Sequence, residues 1–247
     1  SQEIVDFYNS VASIPLTSEQ KAWIIQGSIL EDINPRWLNH FYDPIYKTGW
    51  SGEHTGDISS ETVYSLARVG LAPSGVVSVP VWVNNVALQQ DYKLYGGDRT
   101  WKKALEYYAR GDEEGAYVTL GHILHLLEDM SVPDHTRNDT HAHDLERITG
   151  DPGSPLEEYV VHYTRQTIKE LKILEEFARK KVSPIRKPSI EEYLISLAEY
   201  SNKYFFSKDT IGGQKYQNPK IIKEDDDFGY GIDEQNKAFL LVRIRTL

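Results

Sequence analysis

The residues best suited to chemistry lie between Leu120 and His135. His125 and Asp129 are four positions apart, so on a helix they share one face and can grip one cation. Pro133 is expected to break that helix and let the chain turn, bringing His135 back towards the same pair. His122, three positions before His125, also lies near this face. Imidazole with carboxylate suits zinc, although iron or manganese would accept the same donors. Zinc lowers the pKa of bound water to about 7, and two ions about 3.5–4 Å apart stabilise both the attacking and the departing oxygen of a phosphoester. The alternative is a buried helix whose histidines are simply hydrogen-bonded. A third histidine after a proline-terminated helix, with a carboxylate in register, favours the metal.

Composition narrows the donor set. The chain of 247 residues has no cysteine, which excludes disulfides and thiolate ligands, so any zinc must use histidine and carboxylate. Net charge is −10, a surface that repels long nucleic acids unless a basic patch or bound cations reverse the field. No apolar run reaches the roughly 18 residues of a transmembrane helix. The longest candidate, Val76 to Leu88, is broken by Pro80 and two asparagines. The only methionine is Met130, so the chain is expected to be a processed or partial form, short at one end or both.

The elements that must carry these residues read as helices. Thr17 to Gln20 offers a cap before Ala22, Ile24, Ile25 and Ile29, which recur at helical spacing. Ser59–Glu61 opens a short helix to Ala67, and Asp98 precedes one through Tyr108 that Gly111 closes. Glu113 to Asp129 is predicted as a long helix with an apolar stripe of Ala116, Leu120, Leu124 and Leu127. Ser154-Pro155-Leu156-Glu157 is a strong helix start, extending to about Lys181, and another helix spans Ser189 to Phe206. Residues 209–232 are expected as a surface loop, and Glu234 to Arg245 as a last helical piece. Val76–Val86 is ambiguous between strand and helix. The expected fold class is all-α, in a single domain spanning 1–247.

His125-x3-Asp129 followed by Pro133-x-His135 resembles the central motif of the zinc-dependent phospholipases C, whose superfamily includes the fungal and plant single-strand-specific zinc nucleases. His40-Phe41-Tyr42-Asp43-Pro44 resembles the phospholipase segment whose histidine is a zinc ligand, and Gly27-x4-Asp32 resembles the helix-borne aspartate of that site. The resemblance implies a multi-helix bundle in which His40, His125 and Asp129 hold one zinc, Asp129 bridges to a second, and His135 binds that second ion. It implies that Asp32 contacts the metal cluster or its water and acts as general base. Glu31 is the rival, but the Gly27 spacing favours Asp32. Asp43 is expected to make a turn with Pro44.

The likeness frays at two places. The family has a histidine four residues before its later carboxylate, and the position four before Glu157 is Gly153. His143 or, second to it, His141 is expected to substitute, or His143 pairs with Glu146. Glu157 is either a ligand or only the partner of Ser154 in a capping box. The family also uses an N-terminal amine and an early histidine for a further zinc, whereas no histidine precedes His40. Two zinc ions, or three with help from upstream residues, are the expected cofactors.

Other residues receive smaller roles. Arg137 is expected either to bind a substrate phosphate or to form a salt bridge, and Glu128 or Asp134 to fix histidine tautomers. His54 is read as exposed and His162 as a packing residue. The expected activity is phospholipase C-like cleavage of a small phosphodiester or phospholipid, with peripheral membrane contact at most and secretion or a cell-envelope location. The alternatives are a single-strand nuclease of the same fold, or a zinc-binding structural protein that has lost catalysis.

Overall fold

The computed structural model describes residues 15–50, 76–141, 154, 156–157, 185–207, 210, 213–217, 220–224, 228–232 and 238–243. The described part is mostly helical. Helix α1 (Ser18–Glu31) begins at a capping box: Thr17 Oγ1 accepts from the Gln20 amide, and Gln20 Oε1 accepts from the Thr17 amide. Its partner α5 (Glu113–Asp129) has the predicted bounds; Asp112 caps it, and Glu113 and Glu114 place negative charge in the first turn, where the helix dipole favours it.

These two helices cross at glycines. A Cβ on Gly27 would lie 1.9 Å from the Val118 carbonyl oxygen, and one on Gly121 would lie 2.0 Å from that of Ile24. Backbone therefore meets backbone, and the end of α1 is brought beside the middle of α5. The crossing also changes which face of α5 is covered. The buried ridge is Val118, Thr119, His122, Ile123 and Leu126, whereas Leu120, Leu124 and Leu127 of the expected stripe are only half-buried.

Between them lie α2 (Val79–Trp82), α3 (Val86–Asp91) and α4 (Trp101–Ala109), the ambiguous Val76–Val86 stretch resolving as a short helix with Pro80 in its first turn. Thr100, rather than Asp98, caps α4, while Asp98 accepts from the Thr100 amide and hydroxyl. Pro133 does not end α5; it occupies the first turn of a separate short helix, α6 (Pro133–Thr136), where its missing N–H costs nothing. Helix α7 (Ile190–Tyr204), capped by Ser189, buries Ile190, Leu194, Ala198 and Ser201 at helical spacing. Its apolar face joins Trp82, Val83, Leu126 and Met130 in the main core.

The carboxy-terminal expectations are corrected. Strands β1 (Lys220–Glu224), β2 (Phe228–Ile232) and β3 (Ala238–Arg243) form an antiparallel sheet in that order, with Lys220 opposite Ile232 and Ile232 opposite Ala238. A strand therefore stands where a last helix was expected, and two strands lie inside the expected loop. A short apolar run such as Ala238-Phe-Leu-Leu-Val242 fits either period, and its pairing with β2 selects the strand.

Candidate metal centre

Four local structures bring the chemistry together. Asp32 is the C-cap of α1, His125 and Asp129 lie on the last two turns of α5, and His135 sits on α6. His40 follows a single 3-10 turn, Arg36–Asn39. The segment after that turn is tied between two helices: Tyr42 N–H donates to the His135 carbonyl, and Val79 N–H donates to that of Phe41. Asp43 makes the expected turn, Oδ1 accepting from the Ile45 and Tyr46 amides.

Two triads result. The donor atoms of Asp32, His40 and His125 lie within 4.8 Å of one another, as do those of His135, His141 and Glu157. Asp129 stands between them. Its Oδ2 is 2.9 Å from His40 Nδ1 and 3.5 Å from His125 Nε2, while Oδ1 is 3.9 Å from His135 Nε2. Glu157 Oε1 is 3.4 Å from His135 Nε2 and 3.2 Å from His141 Nε2.

Three of the rings are held from behind. His135 Nδ1 donates to the His40 carbonyl at 2.9 Å, and His141 Nδ1 to the Asp139 carbonyl at 3.2 Å. His125 Nδ1 lies 3.4 Å from Ser28 Oγ. A carbonyl acceptor demands the proton on Nδ1, so in the neutral ring Nε2 is the nitrogen that offers its lone pair to a cation on the carboxylate side. Phe41 stacks on His135, ring centres 4.7 Å apart, and limits its tilt.

Electrostatics reinforce the arrangement. Burial would raise the Asp129 pKa, but His125, His135 and His40 hold it down to about 2. Burial likewise opposes ionisation of Glu157, yet His141 and His135 keep it below the usual carboxylate range. Burial would lower the His40 pKa, and Asp129 with Glu31 raises it to about 10. For His141, Glu157 and Asp134 overcome burial to the same level. A field that holds protons on buried imidazoles attracts a divalent cation for the same reason. Asp129 Oδ2 is buried and makes no well-aligned hydrogen bond, its nearest polar neighbour being His40 Nδ1 at 2.9 Å, so a cation could take this oxygen as a ligand. The donors are nitrogen and oxygen only, so the residues present fit zinc.

Asp32, His40, His125, Asp129, His135 and Glu157 are thus brought together. His143, with its Glu146 alternative, lies outside the described residues; among the described residues, His141 and His135 stand beside Glu157. His54 and His162 also lie outside them. Glu157 donates its amide to Ser154 Oγ in a helix cap, and its carboxylate faces His135 and His141. Among the described residues Asp134 makes no hydrogen bond to a histidine; it accepts from Ser154 Oγ at 3.0 Å and so anchors the cap of Glu157. Burial raises the Asp134 pKa.

Arg137 is corrected. Its side chain is fully buried, donating to the Asn202 and Gln217 carbonyls and Thr210 Oγ1 and lying over Phe206 and Tyr216. Burial brings its pKa down to about 10. Its five neighbours are two carbonyls, one hydroxyl and two rings of the fold, so it fastens the segment after α7 and leaves no donor set for a phosphate. Glu31, the rival of Asp32, is also wholly buried and accepts from Arg36, Trp82 and His122; burial would raise its pKa, but Arg36, His122 and His40 hold it low. His122 is thereby drawn away from the centre. Sequence reading missed this cluster because Arg36 and Trp82 have no spacing signal linking them to Glu31. No protein-family model matches the chain, and no curated protein is significantly similar to it.

Proposed function

We propose that this chain is a zinc-dependent phosphodiester hydrolase with a phospholipase C-like multi-helix fold. The observation that carries the reading is Asp129, one carboxylate flanked on either oxygen by a histidine–carboxylate triad. That disposition suits two ions sharing a bridging ligand. Bound zinc would supply Lewis acidity and an acidified water.

The protein groups have separate tasks. His40, His125 and Asp129 would hold one ion; His135, His141 and Glu157 would hold the other. Asp32 differs from them in being open: its side chain is 66% exposed, and its Oδ1 is 3.9 Å from His125 Nε2. An accessible carboxylate at the edge of a buried donor set suits a general base. Water oxygen would attack phosphorus as Asp32 takes the proton, and the P–O bond to the alcohol would break. The open carboxylate also favours an enzyme over a closed four-ligand structural zinc.

Net charge of −10 favours small phosphodiesters or lipid headgroups over long polyanions. Among the described residues no helix is long and apolar enough to cross a membrane, so lipid would be met peripherally. Secretion or a cell-envelope location accords with this reading. The test is turnover by zinc-loaded protein of a chromogenic choline phosphodiester, phospholipid vesicles and a single-stranded oligonucleotide. Hydrolysis of the first two is expected, falling about 100-fold or more in Asp32→Asn with zinc content retained. Cleavage of the oligonucleotide alone would make the protein a nuclease, and inertness towards all three would overturn the hydrolase.

A further inference from the structure

His40 is held differently from the other three histidines of the centre. His125, His135 and His141 each turn Nδ1 towards a protein oxygen and Nε2 towards the carboxylates. In His40 the order is reversed: Nδ1 is the atom 2.9 Å from Asp129, and Nε2 points into the protein. That Nε2 is buried without a formed hydrogen bond, and Glu31 Oε1 lies 3.6 Å away.

Glu31 has one acceptor position to spare. A carboxylate offers about four lone-pair sites, two on each oxygen. Oε2 receives Arg36 Nε at 2.8 Å and His122 Nδ1 at 2.5 Å, while Oε1 receives Trp82 Nε1 at 2.7 Å. The remaining site on Oε1 is on the side of His40. Histidine ligands commonly direct their second ring nitrogen to a carboxylate or a carbonyl, which fixes the tautomer and raises ligand basicity.

We propose that Glu31 is a positioning residue of the metal centre, receiving the Nε2 proton of His40 so that His40 binds its ion through Nδ1. Glu31 thus does for His40 what the His40 and Asp139 carbonyls do for His135 and His141. It reaches the ion only through His40, and Arg36 keeps the added carboxylate from making the buried cluster more negative. The inference rests on the metal-centre reading above.

Two measurements test it. In zinc-loaded wild-type protein labelled with nitrogen-15 at histidine, long-range proton–nitrogen spectra are expected to show His40 alone metal-bound through Nδ1 and protonated at Nε2. The other three rings should show the opposite tautomer. Zinc affinity measured by chelator competition should fall about 10- to 100-fold in Glu31→Gln. Trp82→Phe, which removes a donor from the same carboxylate oxygen, should lower thermal stability with zinc affinity unchanged. His40 bound through Nε2, or unchanged affinity in folded Glu31→Gln, would overturn the proposal while leaving the centre intact. Should Glu31→Gln fail to fold, the wild-type tautomers decide. A wild type that takes up no zinc would overturn the centre itself, and this role with it.

Discussion

At the scale of single residues, chemistry and scaffold sit side by side in the chain. Glu31 and Asp32 are adjacent, yet one is fully buried under Arg36, Trp82 and His122 and the other faces solvent beside His125. Their division follows from where α1 stops: the last helical residue points into the core, and the cap turns outward. His135 and Arg137 divide similarly, two positions apart on and after α6. Replacing Arg137 with alanine would strip partners from the Asn202 and Gln217 carbonyls and leave a void beneath Phe206. A loss of about 3 kcal/mol of stability is expected in denaturant unfolding, with KM unchanged below the transition. A raised KM with stability intact would restore Arg137 to the substrate. The ligand types and their helical spacing could be read from sequence because His125-x3-Asp129 is a local constraint. The choice between His143 and His141 could not, because the approach of either to Glu157 depends on how the chain after α6 travels, which no spacing encodes.

At the scale of elements, the crossing of α1 and α5 sets the first triad, since Asp32 ends one helix and His125 lies on the other. Alanine at Gly121 would drive a methyl group into the Ile24 carbonyl, and neither backbone can yield without moving its helix. A cost of about 1–3 kcal/mol is expected from overpacking, together with weaker zinc binding as Asp32 and His125 separate. Thr17→Ala, at the far end of α1, should cost about 1 kcal/mol through the lost cap and leave zinc affinity as it was. Thermal unfolding and zinc titration of both variants distinguish the effects; equal affinity in both would mean that the crossing does not position the site. A cap made α1 legible, as Thr17 with Gln20 shows, and helical spacing of apolar residues did the same for α5 and α7. The buried face of α5 was misread because glycine at position 121 admits a backbone neighbour where a leucine stripe suggested side-chain packing. The terminal sheet was missed for a different reason: β3 is a short apolar run that fits helix or strand alike, and its pairing with β2 decides between them.

At the scale of the whole molecule, the proposed ions tie distant parts of the chain together. The proposed ligands span Asp32 to Glu157 and come from α1, α5, α6 and the connections around them. Because that constellation is assembled only on folding, zinc should stabilise the native state. At free zinc about 1,000 times Kd, each site adds about 4 kcal/mol. For a chain of this size each kcal/mol raises Tm by about 2–4 °C, so one saturated site should give a rise of about 10 °C, reversed by a chelator. A Tm indifferent to zinc would mean that the triads are held together by hydrogen bonds and ion pairs alone. The negative charge of the molecule, −10 by formal count, is consistent with a protein that takes up divalent cations, but the buried geometry around Asp129 is the stronger argument because it names the atoms.

The most direct measurement is zinc per chain by elemental analysis, in wild type and in Asp129→Ala. Two zinc ions in the wild type, with at least one lost on removing the shared carboxylate, are expected. No zinc after incubation with excess metal, or a zinc content that Asp129→Ala leaves unchanged, would contradict a centre built on Asp129.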